Sequence, residues 1–281
     1  MTPRRILTRR EWLSAAGLLA VAGCAGRSKE EPIWVGHIGP AGKRGESAID
    51  GVQQMLADLR DAGFAVAGRS LGVRHVVEKD KTRARAEASR LLAVNRVACL
   101  IVGPGVEGVA EVCAIARSHD AIAVVLDGTA DRALAEQAVW LGVDPQMRGE
   151  MLARYASAKG QKGVAAKGDG SDREVRTLRM QPAPADLPEE GRGWVERYEK
   201  RFGVRPDDDA ILGADAVALI ADGLKAVGSD DRQKLATNLT DRTEVAGLTG
   251  LIEWEDWRTL RPMWVERVVK GRRVAVEAVP K

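Results

Sequence analysis

Three charged residues stand where a small ligand could be held by ionic contacts. Arg44, Glu107 and Asp127 each follow a short apolar run of the chain, and each lies in or beside a glycine-containing turn. A guanidinium can pair with an anionic group, whereas carboxylates accept hydrogen bonds from ammonium and hydroxyl groups. These residue types favour a polar cleft for a charged or hydroxylated ligand over an aliphatic one.

The remaining reactive side chains do not have the spacing that catalysis or metal binding requires. Ser118, His119 and Asp120 are consecutive, whereas the members of a catalytic triad come from separated segments. Cys99 and Cys113 lie in apolar stretches without ligand spacing to any histidine, so we expect two buried free thiols. The sequence therefore predicts no enzymatic activity, no metal and no cofactor.

The elements that position the charged residues alternate between strands and helices. We expect strands at Ile33–Ile38, Leu71–Val77, Val97–Val102 and Ala121–Leu126, and helices at Ile49–Leu59, Ala84–Val94 and Val109–Arg117. This alternation predicts an α/β fold with a parallel sheet and helices on both faces. The carboxyl ends of parallel strands share one edge of a sheet, so the three charged residues should lie along that edge.

The pattern becomes less regular after residue 144. The predicted helices here are Gly149–Lys159, Trp194–Phe202 and Ala210–Val227, and the predicted strands are Gly163–Lys167, Val175–Met180, Leu251–Trp254 and Met263–Val269. Prolines at 182, 184 and 188 mark a linker. We expect the last two strands to form an antiparallel hairpin with each other.

The amino-terminal segment has the order of features found in bacterial export signals. Four arginines, at positions 4, 5, 9 and 10, precede an apolar stretch, Leu13–Gly23, that is too short to span a bilayer. The paired arginines before Trp12 resemble a twin-arginine signal, and Val-Ala-Gly-Cys resembles a lipobox. We predict a signal peptide over residues 1–23, lipid attachment at Cys24, a tether over 24–31, and a location in the periplasm or cell envelope.

The charge balance argues against nucleic acid as a partner. Removal of residues 1–23 would leave 258 residues with 39 basic and 39 acidic side chains, because the segment removed holds four arginines and one glutamate. Nucleic-acid-binding domains usually carry a net positive surface. A neutral chain of this length instead suits one large or two small globular domains.

The turn at residues 103–108 also allows a different function. It reads G-x-G-x-x-G, follows a predicted strand and opens a predicted helix, and the next strand ends near Asp127. Such a turn can hold a pyrophosphate at the helix amino terminus while an acidic residue binds the ribose. The alternative function is therefore an exported, dinucleotide-binding oxidoreductase.

Several segments, in their order along the chain, resemble the substrate-binding proteins of branched-chain amino acid (Leu/Ile/Val) ABC transporters, which have the type I periplasmic-binding-protein fold. The resemblance rests on Ile38–Gly51, Ile101–Pro104, Trp194–Gly203 with Pro206, Ala214–Val217, Thr249–Trp254 and Arg261–Val268. It implies two lobes with a ligand in the cleft between them. Lobe 1 would comprise 32–143 and 191–246, and lobe 2 would comprise 144–190 and 247–281, shortened because several strand–helix units of the family are missing.

The resemblance also implies where a ligand would be held. Matching the family's pocket onto this chain gives Arg44, Val106, Glu107 and the segment Asp127, Gly128 and Thr129. Arg44 stands where the family has an aromatic residue, and Val106 and Glu107 stand where it has hydroxyl residues. Glu107 would repel a ligand carboxylate, so we expect a weakly bound polar ligand other than leucine, isoleucine or valine.

The resemblance further implies a membrane partner. An ABC transporter permease, or another protein of the envelope, would then receive the ligand-loaded protein. A second alternative is a structural lipoprotein that binds a protein partner and no small ligand.

Overall fold

The computed structural model describes residues 31–78, 80–128, 138–158, 175–179, 187–255, 258–269 and 272–278. Cys24, Thr129 and the predicted strand Gly163–Lys167 lie outside these residues. The elements in chain order are β1 Ile33–Pro40, α1 Lys43–Asp61, β2 Leu71–Glu78, α2 Lys81–Ala93, β3 Leu100–Val102, α3 Val109–Ser118, β4 Ala123–Val125, β5 Ala138–Trp140, α4 Pro145–Ala158, β6 Val175–Arg179, α5 Glu189–Phe202, α6 Asp208–Val227, α7 Arg232–Thr240, β7 Glu244–Gly247, β8 Gly250–Glu255, β9 Arg258–Leu260, β10 Trp264–Val269 and β11 Arg272–Ala278.

A five-stranded parallel sheet with the order β2-β1-β3-β4-β5 forms the centre of the molecule. One of its faces packs against α1, α5, α6 and α7, and the other packs against α2 and α3. Strands β3, β4 and β5 are apolar and fully buried, as expected for a sheet that helices cover on both faces. The predicted α/β fold is confirmed, although β5, β7, β9, β11 and α7 were not predicted.

Two helices on one face of the sheet approach each other closely enough to exclude side chains. A Cβ atom on Gly51 of α1 would come within 1.9 Å of the Ala210 carbonyl oxygen, and one on Gly213 of α6 would come within 2.2 Å of the Ala48 oxygen. Glycine at both positions therefore allows the contact. The contact brings the first turn of α6 beside the first turn of α1, at the carboxyl edge of the sheet.

The remaining strands form two small sheets, with the orders β11-β10-β6 and β7-β8-β9. The prediction that Leu251–Trp254 and Met263–Val269 pair with each other is wrong. β8 pairs with β7 and β9, whereas β10 pairs with β6 and β11. β7 and β9 flank β8 in the chain and β11 follows β10, so each strand has a nearer antiparallel partner; the second partner of β10, β6, comes from a distant part of the chain.

The second lobe is reduced, as expected. The elements outside the central sheet and its helices are α4 and the two small three-stranded sheets. Within the described ranges, no helix has both the length and the apolar character needed to cross a membrane.

A fully buried ion pair joins the segments that leave the central sheet. In α6, Asp215 accepts hydrogen bonds from the Leu248 amide at 2.7 Å and from Nη2 of Arg261 at 2.6 Å. The side chains of Arg261 and Asp215 are 0% and 1% exposed, and the same guanidinium nitrogen lies 3.3 Å from the Thr249 hydroxyl. Arg261 also reaches the Leu141 carbonyl at 3.5 Å. The pair therefore connects α6 to the chain after β5, before β8 and after β9.

Replacement of Arg261 by methionine should destabilise the protein by about 3–5 kcal/mol, because it leaves Asp215 buried without its counter-ion. Urea unfolding measures this loss. Arg197→Met is a matched control, since Arg197 pairs with Asp58 through a side chain that is 54% exposed. That control should cost only about 0–1 kcal/mol. Equal losses in the two variants would contradict a special role for the buried pair.

Candidate functional site

Arg44 lies in the first turn of α1, at the carboxyl edge of the sheet, and it is held by Asp209 of α6. Its Nε and Nη2 atoms donate to the two carboxylate oxygens of Asp209 at 3.1 and 3.3 Å. This hydrogen bonding raises the pKa of Arg44. Burial, together with the charges of Asp207 and Asp127, raises the pKa of Asp209, and the guanidinium opposes that rise. Arg44 is 58% exposed, so the pair faces solvent and contributes only about 0–1 kcal/mol.

The turn after β3 is tied to the end of β4 by a carboxylate. Asp127 accepts a hydrogen bond from the Gly105 amide at 2.9 Å. Nη1 of Arg44 lies 3.3 Å from the point where a Cβ of Gly105 would stand. The turns that follow β1, β3 and β4 therefore meet at one place, as the sequence led us to expect.

Glu107 in the same turn is connected to a residue that sequence reasoning missed. Its amide lies 3.4 Å from Oε1 of Glu78, the last residue of β2. Glu78 is 3% exposed, and its Oε2 atom has no hydrogen-bond partner among the described residues. Burial raises the pKa of Glu78, and the charges of Glu107 and Asp80 add to this rise, whereas hydrogen bonds from the backbone amides of Glu107 and Asp80 oppose it. Its position at the carboxyl end of a strand was the signal that could have identified it.

The other predicted site residues have different surroundings. Val106 is 5% exposed and belongs to the apolar cluster between the sheet and the helices α2 and α3. Gly128 lies against the chain after β5, where a Cβ would come within 2.0 Å of the Val143 carbonyl oxygen. Thr129 lies outside the described residues.

Three consecutive aspartates at the start of α6 border the site, and each is engaged. Asp207 caps α6 by accepting from the Ala210 amide at 3.0 Å. Asp208 is 3.9 Å from Nη1 of Arg148, and Asp209 pairs with Arg44 as described above. The fold therefore uses one of these aspartates as a helix cap and the other two as partners of arginines.

The described residues do not assemble a metal site, and their two cysteines are not reactive. No group of three His, Cys, Asp or Glu side chains within them converges on a point that could hold a metal ion. Cys99 and Cys113 are free and buried, as expected, and burial raises the pKa of each thiol to about 12. Neither thiol forms the thiolate needed for nucleophilic attack at neutral pH.

The dinucleotide alternative conflicts with the hydrogen bonding of the 103–108 turn. A pyrophosphate needs free backbone amides at this turn. Here the Gly105 amide is bound to Asp127 and the Glu107 amide is directed at Glu78. Asp127, the residue that would have to reach a ribose, instead closes the turn.

Two histidines lie side by side in β1 and β2, below the same edge. His37 and His75 are register partners, and their Nδ1 atoms are 2.7 Å apart, so one ring donates and the other accepts. His37 is completely buried. Burial, followed by the charge of His75, lowers the pKa of His37 to about 3, and burial also lowers the pKa of His75. The folded protein therefore keeps His37 neutral at any pH near 7.

Comparison with known proteins matches more than half of this chain to one family. A family model described as periplasmic binding protein matches residues 120–273. No curated protein sequence matches the chain.

Solved structures of solute-binding proteins are similar to this one over nearly their whole length. One is the branched-chain amino acid transporter substrate-binding protein of Streptococcus pneumoniae in complex with isoleucine, at 13% identity and a TM-score of 0.72, covering 88% of this chain and 99% of that one. Another is the solute-binding protein of an ABC transporter from R. palustris in complex with benzoate, at 16% identity and a TM-score of 0.61, covering 88% and 96%. The leucine-binding protein of Thermotoga maritima, at 15% identity and a TM-score of 0.61, covers 87% and 98%. At these identities the likeness establishes the type I fold.

The free energy of unfolding should fall as the pH drops from about 6.5 towards 3, because unfolded His37 takes up a proton that the folded protein excludes. The slope from this one group is up to about 1.4 kcal/mol per pH unit. Urea unfolding at a series of pH values should show a smaller slope for His37→Asn. His119→Asn, at the end of α3, is the control and should keep the wild-type slope. An unchanged slope in His37→Asn would refute this assignment.

Proposed function

The chain belongs to the periplasmic binding protein family, and on this premise we propose that it is an extracytoplasmic solute-binding protein that works with an ABC-type transporter. In this role the protein is a binder or sensor without enzymatic activity. Its partners are a small polar solute and a permease or another protein of the envelope.

The observation that carries the proposal is the convergence of polar groups at the carboxyl edge of the sheet. Arg44, the Gly105 amide, Asp127 and Glu107 belong to turns that follow three different strands, yet they surround one region. Open α/β sheets hold ligands at this edge. The site of this chain is therefore assigned to these residues, with Gly128 at its border; Thr129 follows Gly128 in the chain and lies outside the described residues.

The lobes are assigned as the sequence suggested, with residues 32–143 and 191–246 in lobe 1 and residues 144–190 and 247–281 in lobe 2. In a two-lobed binder, closure of one lobe over the other supplies much of the contact with the ligand. A shortened lobe 2 leaves a ligand on lobe 1 partly exposed to water. Exposed ion pairs contribute about 0–1 kcal/mol each, so binding is weak.

The proposal includes export and anchoring by lipid at Cys24. The twin-arginine pattern, the apolar stretch and the cysteine occur in the order that such signals have. A membrane-tethered binder also stays near its transporter, which raises its effective concentration there. A structural lipoprotein without a small ligand is the outcome if no solute binds.

Replacement of Cys24 by serine should release the protein from the membrane fraction, because no thiol remains to carry the lipid. Cell fractionation and the mass of the amino-terminal peptide measure this. Cys113→Ser removes a buried thiol and is the control; that variant should stay in the membrane fraction. Unchanged fractionation of Cys24→Ser, with no lipid mass on the wild-type peptide, would end the lipoprotein proposal.

Calorimetry of the full chain against amino acids, small acids and amides should detect dissociation constants on the order of 10⁻⁴ M or weaker. Asp127→Asn should change the affinity for any solute that binds, since it alters the group that closes the turn. Asp241→Asn, at the end of α7 and away from this edge, should leave it unchanged. Sub-micromolar binding of a branched-chain amino acid would contradict the weak-site proposal.

A further inference from the structure

A small cavity lies between α5, the start of α6 and the segment that precedes β8. Its buried lining residues are Leu187, Gly191, Trp194, Ile211, Leu248 and Thr249. The cavity offers about 10 Å³ to the centre of a water-sized sphere, which is close to the room that one water molecule needs. It is therefore too small for a solute and has the size of a single solvent site.

Helix α5 packs against the backbone at one side of this cavity. A Cβ atom on Gly191 would come within 2.3 Å of the Leu248 carbonyl oxygen. Trp194 is three residues further along α5 and therefore lies on the same face of the helix. The indole of Trp194 thus lines the cavity next to the segment that contains Leu248 and Thr249.

Two polar groups of the lining have hydrogen-bonding capacity that the described residues do not use. Trp194 is 1% exposed, and its Nε1 atom has no acceptor among the described residues. Thr249 is 3% exposed, and its hydroxyl oxygen accepts from Nη2 of Arg261 at 3.3 Å. A hydroxyl group has one proton and two lone pairs, so that of Thr249 can bind a further partner.

The chemistry of the lining favours water over an ion or a dry cavity. A buried N–H group without an acceptor is costly, and cavities that stay dry have apolar walls. An indole N–H only donates, so it does not bind a cation. A buried anion needs a counter-ion, and the one cation of the lining, Arg205, lies 4.0 Å from Glu199.

We propose that this cavity binds one water molecule, which accepts a hydrogen bond from Nε1 of Trp194 and is also hydrogen-bonded to the hydroxyl group of Thr249. This water connects α5 to the segment before β8. The ion pair of Asp215 and Arg261 holds the same segment on α6. The solvent site is thus a structural part of this junction, and it is independent of the solute that the protein binds.

A crystal structure of the full chain, at a resolution that shows ordered water, tests the inference directly. It should show one water molecule within about 3.2 Å of both Nε1 of Trp194 and Oγ1 of Thr249. Nε1 of Trp254 is an internal control, since it donates to the Trp140 carbonyl at 2.8 Å and needs no water. In solution, the Trp194 indole proton should show a nuclear Overhauser effect to bound water, and Trp194→Phe identifies its signal.

Two variants test the bridge between the partners. Thr249→Val keeps the shape of the side chain and removes its hydroxyl group, so its crystal structure should lack the water. Urea unfolding of Trp194→Phe, Thr249→Val and the double variant should show losses that are not additive, because either single change removes the same bridge.

Three results would overturn the inference. The first is a dry cavity in the wild type, and the second is Nε1 of Trp194 bound directly to a protein carbonyl. Both are read from the wild-type crystal structure, which does not depend on whether a variant folds. The third is a water that persists in Thr249→Val together with additive losses, which would remove Thr249 from the site.

Discussion

The buried carboxylate of Asp215 joins α6 to the chain segments before β8 and after β9. It lies in the long helix α6, and it binds at once the amide before β8 and the guanidinium after β9. A buried charge is tolerated only when its partners are in place, so this pair fixes where those segments leave the central sheet. Trp254 and Thr259 add to this arrangement, because both donate to the Trp140 carbonyl at the end of β5.

The first turn of α6 also positions a residue of the candidate site. Its close contact with α1 depends on Gly51 and Gly213, and it sets Asp209 opposite Arg44. One helix therefore positions the buried pair near its middle and the charged rim at its start. Both roles follow from rigid packing, since helices this close cannot shift without a backbone clash.

Several charged and hydrogen-bonding groups of the candidate site are already paired with other groups of the same chain. The turn amides face Asp127 and Glu78, and Arg44 faces Asp209. A pocket that neutralises its own donors gives little to an anionic solute. A shortened second lobe leaves this rim more open than a sandwiched site would be, so recognition depends on few contacts.

Periodicity in the sequence sufficed for the long elements. The local sequence pattern identifies strands that are buried on both faces. It also identifies helices with apolar positions three and four apart, such as Ile49 and Val52 in α1. Short strands could not be identified in this way, because three or four residues are too few to show a period. For this reason β5, β7 and β9 were missed and the partners of β8 and β10 were wrongly assigned.

The sequence by itself determined the α/β class, the sheet edge where charged residues would gather, and the export-like segment that ends at Cys24. Only the tertiary structure decided which charged residues form ion pairs with each other. Arg44 and Asp209 are 165 residues apart, and Asp215 and Arg261 are 46 apart. Such pairs depend on how helices and turns pack, and that information is spread over the whole chain. Glu78 was identified only in the structure for the same reason, since its burial and its contact with the Glu107 amide are properties of its surroundings.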